Sequence, residues 1–255
     1  MIVGVSLKMY FGLRAAHDWC RSVAALARDR PELEDGRTVL FVAPSHLAIP
    51  GAAAAFAGTP VRLAAQDVAA GEAGPYTGEV SAAELAEAGV TVAEIGHAER
   101  RRLYGETDET VAAKVAVAAR HGLTALICVG ARPDEDAAAV AEAQLRAALT
   151  QAPAGPVWVA YEPLASIGAA RPAPAAEITS VTRHLRQVLA EVAPGGAVLY
   201  GGSAGPGLLG ELGDGVDGLF LGRFAHDPAN LAKVLDEASH EASHEASHEA
   251  SEGRA

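Results

Sequence analysis

The sequence predicts an α/β protein of the (β/α)8 barrel class, folded as a single domain. Short β-branched runs alternate with alanine-rich helical stretches, eight such units fit within the 255 residues, and half of the residues are hydrophobic. Strict alternation implies parallel strands joined by crossover helices. A doubly wound open sheet is the alternative, because periodicity alone does not show that the sheet closes.

Eight runs are predicted as strands, and each is followed by a segment that can be helical. Helix-boundary signals agree with this division: Ser81 and Glu84 form a capping-box pattern, Asp227-Pro228 begins a helix, and Gly122 ends one. The predicted strands cover residues 2–6, 39–43, 61–65, 90–95, 125–129, 157–161, 197–200 and 216–221.

The C-terminal end of the chain differs in character from the rest. We predict a barrel domain over residues 1–236 and a low-complexity tail over residues 237–255, in which Glu-Ala-Ser-His is repeated. A helical tail would place His240, His244 and His248 on one face, where a metal site is conceivable. Because like charges at that spacing repel and nothing apolar anchors the segment, we expect disorder or a frayed extension of the last helix.

The formal net charge of −12 argues against nucleic acid or an anionic membrane as a partner. Six acidic residues and one arginine in residues 236–255 account for −5 of this charge. No apolar run approaches the roughly 20 residues of a membrane span. The two cysteines are far apart and the first residues show no basic leader, so we expect a reducing, cytoplasmic location without disulfides or a secretory signal.

Function is expected where the strands end, because barrels carry their sites in the loops that follow. Glu162 follows the apolar strand 157–161 and precedes a loop that begins with Pro163 and ends at Gly168. A carboxylate there loses hydration unless a neighbour compensates, so the position favours chemistry. Capping of a neighbouring helix or pairing with an arginine is the structural alternative.

Two further strand ends carry a cation and an imidazole. Lys8 follows strand 2–6, where its alternative is a lysine that merely extends to solvent. His97 follows strand 90–95 and a glycine, just before a polar segment that resembles the start of a helix. A helix N-terminus favours the neutral imidazole, which can donate a hydrogen bond to a carbonyl oxygen.

Glycines end the seventh and eighth strands, in Tyr200-Gly201-Gly202-Ser203 and Gly222-Arg223. Glycines also serve simple turns, but the loops after strands 7 and 8 are where barrels commonly hold phosphate. We therefore predict a phosphate site there, facing the same mouth as the base, the imidazole and the lysine.

Taken together, these segments resemble the triosephosphate isomerase family over residues 3–233, and we identify the chain as a member with the TIM-barrel fold. Three matching segments meet at the predicted mouth, and two more match elsewhere in the chain. The matches are Ile95-Gly96-His97-Ala98-Glu99-Arg100-Arg101, Ala160-Tyr161-Glu162-Pro163 with Ile167-Gly168, Tyr200-Gly201-Gly202-Ser203, Tyr76-Thr77-Gly78-Glu79-Val80-Ser81 and Tyr104-Gly105-Glu106-Thr107-Asp108-Glu109.

The resemblance implies roles for these residues. A glutamate base paired with a neutral histidine is the family's established mechanism; here Glu162 would move a proton between neighbouring carbons and His97 would polarise the carbonyl. Lys8 would supply positive charge, with Glu99 as a supporting partner. The expected substrate-binding residues are Ser6, Glu99, Gly168, Ser203, Gly222 and Arg223.

The resemblance also implies a lid, a homodimer and no cofactor. Residues 163–171, here called the lid, would close over the ligand and exclude water. Family members are usually dimers, and the third βα loop, with Thr77 near its tip, would dock beside the neighbour's active site. No metal or organic cofactor is expected.

Departures from the family pattern lie in the pocket walls. Ser6 stands where the family usually has asparagine, Ala98 where it has serine, and Ala165 where the lid has tryptophan. Residues 168–171 replace the usual Gly-Thr-Gly-Lys hinge, and Arg223 replaces the second glycine of a pair. The guanidinium of Arg223 can bind an anion through two hydrogen bonds.

These features predict a sugar-phosphate isomerase that works through an enediolate, an intramolecular oxidoreductase. The changed end of the first strand favours a tetrulose phosphate, such as an erythrulose phosphate, as the substrate. Ordinary triosephosphate isomerisation is the alternative. A non-catalytic sugar-phosphate-binding protein is the hypothesis from another class, and the joint presence of Lys8, His97 and Glu162 argues against it.

Overall fold

A computed structural model describes residues 1–152 and 155–252 of the chain. Eight parallel strands form a closed barrel in the order of the sequence, which confirms the predicted (β/α)8 fold and excludes the open sheet. The strands are β1 (Ile2–Ser6), β2 (Val39–Ala43), β3 (Arg62–Ala65), β4 (Val90–Ile95), β5 (Thr124–Val129), β6 (Val157–Tyr161), β7 (Ala197–Tyr200) and β8 (Gly218–Leu221).

Helices surround the barrel and cover its outer face. Within the described residues they are α1 (Leu13–Arg28), α2 (Pro31–Glu34), α3 (Ile49–Phe56), α4 (Ala82–Glu87), α5 (Ala98–Tyr104), α6 (Asp108–Arg120), α7 (Ala137–Ala148), α8 (Ala175–Val192), α9 (Leu208–Leu212) and α10 (Pro228–Glu252). Within the same residues, none of these helices has the length and apolarity to cross a bilayer.

The barrel closes because a glycine lets its first and last strands approach. β1 pairs with β8 in parallel, with Ile2 opposite Gly218. A Cβ on Gly218 would lie 1.7 Å from the carbonyl oxygen of Ile2, so a side chain at this position is incompatible with the pairing. β8 begins two residues later than the sequence predicts, because the carboxylate of the preceding Asp217 accepts a hydrogen bond from the Val198 amide and pairs with Arg186.

The predicted helix boundaries have a physical basis in the caps. Ser81 Oγ accepts a hydrogen bond from the Glu84 amide at 3.2 Å, and Asp227 Oδ1 accepts one from the Ala229 amide at 2.9 Å. Gly122 adopts φ +73° just after α6, a left-handed conformation that glycine takes without strain. These local bonds fix where the helices begin and end against the barrel.

Two layers of apolar side chains form the core. Inside the barrel, Phe41 packs at 5.4 Å from Trp158 and at 5.6 Å from Phe220, measured between ring centroids. Outside it, α1 buries residues at helical spacing, among them Trp19, Cys20 and Val23. The interior layer fills the barrel below its mouth, so the polar side chains at the strand ends stand on a packed floor.

The last helix continues through the repeated C-terminal sequence. The backbone of α10 is helical from Pro228 to Glu252, past the boundary predicted at residue 236. Residues 253–255 and the side chains of His244 and His248, which the conceivable metal site requires, lie outside the described residues. The division into a barrel and a tail therefore stays a prediction.

Candidate active site

A single cavity at the carboxyl ends of the strands gathers the predicted site residues. Its volume is about 610 Å³, and part of the lid forms one wall. The cavity brings together the following predicted residues: Ser6, Lys8, His97, Glu99, Glu162, Gly168, Ser203, Gly222 and Arg223. Thr77 does not line it.

Glu162 is held at the centre of this cavity with only 2% of its surface exposed. Its amide donates to the carbonyl of Val129 on β5 at 2.8 Å, which fixes the backbone at the end of β6. A Cβ on Gly201 would lie 2.9 Å from the Glu162 Cγ, so glycine leaves the room that the side chain occupies. Among the described residues, Glu162 Oε2 has no hydrogen-bond partner. A buried oxygen without a partner is available to accept a proton from a ligand.

His97 caps the N-terminus of α5 through its ring. Its Nδ1 accepts a hydrogen bond from the Glu99 amide at 3.1 Å, which requires a free lone pair on that nitrogen. The proton of the neutral ring is therefore on Nε2. This atom faces Glu162 Oε1 at 3.4 Å and Lys8 Nζ at 3.3 Å.

Two opposing influences act on the protonation of His97. Burial lowers its pKa, but the carboxylates of Glu162 and Glu94 raise it more, to about 9. A doubly protonated ring would lose the hydrogen bond from the Glu99 amide, because its Nδ1 would no longer have a lone pair. We assign the neutral ring with the proton on Nε2, since this state satisfies the helix cap and points a donor into the cavity.

Lys8 reaches the cavity through a strained backbone. Its φ is +44°, and no other non-glycine residue in the described part of the chain has a positive φ. Such a conformation costs on the order of 1–3 kcal/mol and persists only where the surroundings enforce it. The ammonium donates to Glu99 Oε1 at 3.0 Å while lying beside the imidazole. The strained backbone thus places a positive charge next to the histidine.

The opposite side of the cavity joins the lid to the loops after β7 and β8. Ser203 Oγ donates to the Ala169 carbonyl at 2.8 Å, and Arg223 Nη2 donates to the Gly168 carbonyl at 2.8 Å. The Ala173 amide donates to Tyr200 Oη at 3.2 Å. Two residues predicted to bind phosphate therefore also hold the lid in place.

The position of Ala165 differs from the expectation that this residue lies in the pocket wall. Ala165, which replaces the family's tryptophan, is exposed and does not line the cavity. Leu164 and Ile167 line it instead, because residues 164–166 form a 3-10 turn that directs the middle residue outward. The loss of the tryptophan therefore does not widen the cavity in this lid position.

Glu94 is a residue of this region that sequence reasoning missed. It lies near the end of β4, is 4% exposed, and accepts a hydrogen bond from Ser6 Oγ at 3.1 Å. Burial raises the pKa of its carboxyl to about 7. The signal in the sequence that could have found it is the glutamate inside the otherwise apolar run Val-Ala-Glu-Ile. A carboxylate is rarely placed in a buried strand unless it is paired.

A cluster of two acids and two bases, here called the anchoring cluster, holds the start of the loop that carries Thr77 through Asp67. Lys114 Nζ contacts Asp67 Oδ1 at 2.6 Å and also pairs with Glu106. Arg100 bridges the same two carboxylates, with Nη2 2.7 Å from Asp67 Oδ2. Two acids and two bases balance each other here.

The comparisons with known proteins decide the family. The sequence profile described as "Triosephosphate isomerase" matches residues 1–238. The chain belongs to the triosephosphate isomerase family. It is a sugar-phosphate isomerase.

Curated relatives of this isomerase carry two names. A protein of Pectobacterium atrosepticum named L-erythrulose-1-phosphate isomerase is 47% identical over 93% of this chain and 95% of its own length. One of Rhizobium etli with the same name is 37% identical over 93% and 92%. A protein of Mycobacteroides abscessus named triosephosphate isomerase is 40% identical over 67% of this chain and 70% of its own length.

Proposed function

We propose that this isomerase acts on a four-carbon ketose phosphate, L-erythrulose 1-phosphate, and moves its carbonyl from C2 to C3. The observation that carries the chemistry is the convergence of Glu162 and Lys8 on His97, whose Nε2 lies 3.4 Å from Glu162 Oε1 and 3.3 Å from Lys8 Nζ, in one cavity. The relatives named L-erythrulose-1-phosphate isomerase, which match this chain over nearly its whole length, support the substrate.

Glu162 is the base in this proposal. Its carboxylate removes the proton from C3, the electron pair of that C–H bond forms the C2–C3 double bond, and the C2 carbonyl becomes an oxyanion. The same carboxyl then returns the proton to C2, and the carbonyl forms at C3. One group serves both steps because the two carbons are adjacent and Glu162 is fixed between the floor and the lid.

His97 and Lys8 stabilise the enediolate. The Nε2 proton of His97 is donated to the oxygen on C2 and recovered from the oxygen on C3, so no net charge is left on the ring. The Lys8 ammonium, 3.3 Å from Nε2, offsets the negative charge that develops on these oxygens. Glu99 holds that ammonium in place through its 3.0 Å contact.

The phosphate is proposed to lie between the lid and the loops after β7 and β8. Gly168, Ser203 and Gly222 offer small or polar contacts, and Arg223 offers a guanidinium. A Cβ on Gly222 would meet no atom within 4 Å, so the glycine leaves that wall open toward a ligand. The acidic chain thus binds an anion locally, through one cation and nearby backbone groups.

Ordinary triosephosphate isomerisation is the second candidate, since the base, the imidazole and the lysine serve either substrate and some relatives bear that name. Steady-state kinetics with purified protein separate the two. The proposal predicts a higher kcat/KM for L-erythrulose 1-phosphate than for dihydroxyacetone phosphate or glyceraldehyde 3-phosphate. A far higher kcat/KM for either triose phosphate contradicts it.

A homodimer is proposed on the strength of exposed apolar side chains in the segments that follow the first four strands, three in loops and short turns and two at the end of α5. Met9 is 95% exposed, and Tyr76 next to Thr77 is half exposed. The others are Leu47, Leu103 and Tyr104. Exposed apolar patches of this kind mark interaction surfaces. Light scattering coupled to gel filtration tests this: we expect twice the 26.0 kDa chain mass, with Tyr76→Asp shifted toward the monomer.

The cytoplasmic location and the absence of nucleic-acid or membrane partners also remain proposals. The net charge of −12, which repels polyanions and anionic lipid surfaces, supports the absence of such partners, and the two free cysteines support a reducing compartment.

A further inference from the structure

Glu94 is a buried acid beside the catalytic groups. The reaction described above gives it no role. Ser6 lies on β1 and Glu94 on β4, and the hydrogen bond between them crosses the barrel. Ser6 lines the cavity, whereas Glu94 does not and stands behind it. Within the described residues, Ser6 is the side chain that hydrogen-bonds to Glu94. Glu94 therefore reaches a ligand only through the serine.

The direction of this hydrogen bond depends on one proton. An ionised Glu94 only accepts, so the hydroxyl proton of Ser6 points at the carboxylate and away from the cavity. A protonated Glu94 donates to Ser6 Oγ, and the hydroxyl proton of Ser6 is then free to point into the cavity. Only in the second state does Ser6 donate to a substrate oxygen, as the asparagine amide usual at this position in the family does.

The surroundings favour the protonated state when substrate is bound. Glu162 must be ionised to act as the base, and a second buried carboxylate close to it is disfavoured by like charge. Burial and the charge of Glu162 raise the pKa of Glu94, while His97, Lys8 and the hydrogen bond from Ser6 lower it, and the net result is a pKa of about 7. A bound phosphate and a developing enediolate add negative charge on the same side. The groups that face Glu94 are Ser6 and Lys8 from β1 and its end, His97 after β4, Cys128 on β5 and Glu162 after β6.

We propose that Glu94 is a positioning residue that turns the Ser6 hydroxyl into a hydrogen-bond donor for the substrate carbonyl oxygen, and that the pair works only while Glu94 holds its proton. This inference rests on the proposed function, because it places the substrate carbonyl within reach of Ser6. It makes the serine a pH-dependent substitute for an amide.

The pH dependence of kcat/KM tests the proposal. For the wild type we expect kcat/KM to fall about tenfold as the pH rises through the pKa of Glu94, the size of one lost hydrogen bond. Glu94→Gln keeps an amide donor toward Ser6 at every pH, so its profile should lack this fall and exceed the wild type at pH 9. The wild-type and Glu94→Gln profiles coinciding over the whole range overturns the proposal.

Ser6→Ala supplies a second, independent arm in case Glu94→Gln does not fold. Its kcat/KM at pH 6 should already equal the high-pH level of the wild type, with no further fall. A Ser6→Ala profile that keeps the wild-type fall contradicts the proposal. Glu32→Gln is the matched control, because Glu32 is also buried but pairs with Arg30 away from the cavity; its profile should follow the wild type.

A readout that does not depend on turnover separates this inference from the proposed function. Infrared difference spectra of the wild type against Glu94→Gln at pH 6 should show the carbonyl band of a protonated carboxylic acid, and the band should vanish at pH 9. An absent band at pH 6 overturns the inference. If the wild type does not turn over L-erythrulose 1-phosphate, the proposed substrate fails alone, and the profiles are measured with dihydroxyacetone phosphate.

Discussion

Two buried groups of charged residues lie side by side at the mouth of this barrel and differ in how their charges are balanced. In the anchoring cluster, Lys114 and Arg100 neutralise Asp67 and Glu106 through direct contacts. In the catalytic cluster, Glu94 and Glu162 are both buried, and the nearest cation, Lys8, is bonded to Glu99 instead. The first arrangement holds a loop in place, whereas the second leaves carboxyl groups free to exchange protons.

Burial alone does not distinguish a structural acid from a reactive one. Burial raises the pKa of Asp67, while hydrogen bonds from Lys114 and Arg100 lower that of Glu106 despite its burial. Glu162 keeps one oxygen without a partner among the described residues. Glu106 also keeps one oxygen without a partner, so what separates the two clusters is the pair of cations: Glu106 contacts Lys114 and Arg100, and no lysine or arginine of the described residues pairs with Glu162.

The largest effect is expected in the anchoring cluster. Lys114→Met leaves Asp67 and Glu106 buried with one cation fewer, which should lower the free energy of unfolding by about 3–5 kcal/mol. Urea unfolding followed by circular dichroism measures it. Lys233→Met, at an exposed lysine, is the control and should stay within about 0.5 kcal/mol of the wild type. Equal effects of the two changes would mean that the cluster is not a structural unit.

The next effect concerns the base. Glu162→Asp retracts the carboxylate by one methylene, and a displacement of this size should lower kcat about 10²-fold or more. Binding of the substrate phosphate should change little, because the groups proposed to bind it lie on the other wall. Stopped assays for kcat and calorimetric titration with inorganic phosphate check the two parts. A loss of phosphate binding that matches the loss of kcat would contradict the separation of roles.

A third effect links Glu94 to stability. Its folded-state pKa, about 7, is above the ordinary value of 4.5. The folded protein therefore holds more protons than the unfolded chain between these values, and stability falls as the pH rises through them. Glu94→Gln removes this loss of stability. Its free energy of unfolding should therefore rise relative to that of the wild type by up to about 3 kcal/mol as the pH goes from 5 to 8. Thermal unfolding at both pH values measures the gain; a constant difference would show that Glu94 stays ionised.

The smallest effect is expected at the lid. Arg223→Gly restores the glycine usual in the family and removes the donor to the Gly168 carbonyl, so KM should rise about tenfold with a smaller change in kcat. Arg183→Gly removes another exposed arginine, paired with Asp214 away from the cavity, and should leave KM unchanged. A KM that is unaffected in both variants would remove Arg223 from the site.

Much of this arrangement could be predicted from the sequence because it follows from local pattern. Short β-branched runs that alternate with helical stretches place the strands to within two residues, and a residue that follows a strand in a barrel must lie at the mouth. This brings Glu162, His97 and Lys8 into one cavity without any knowledge of side-chain angles. The caps at Ser81 and Asp227 follow from residue type in the same way.

The features that could not be predicted depend on contacts across the barrel. The bond between Ser6 and Glu94 joins β1 to β4, and no periodicity links residues 88 positions apart. The positive φ of Lys8 is set by its surroundings, since lysine has no preference for it. The outward direction of Ala165 depends on the turn at residues 164–166, and the sequence of the lid does not predict the geometry of this turn.

The pairing of Ile2 with Gly218 has a consequence for the way the chain is made. The N-terminus of the protein is synthesised first, and β2 soon follows, yet β8, the second partner of β1, is synthesised more than 200 residues later. At roughly 5–20 residues per second, the first strand waits on the order of tens of seconds with one edge unpaired. During synthesis the growing sheet therefore exposes an edge that other chains can join, and only the last strand closes it.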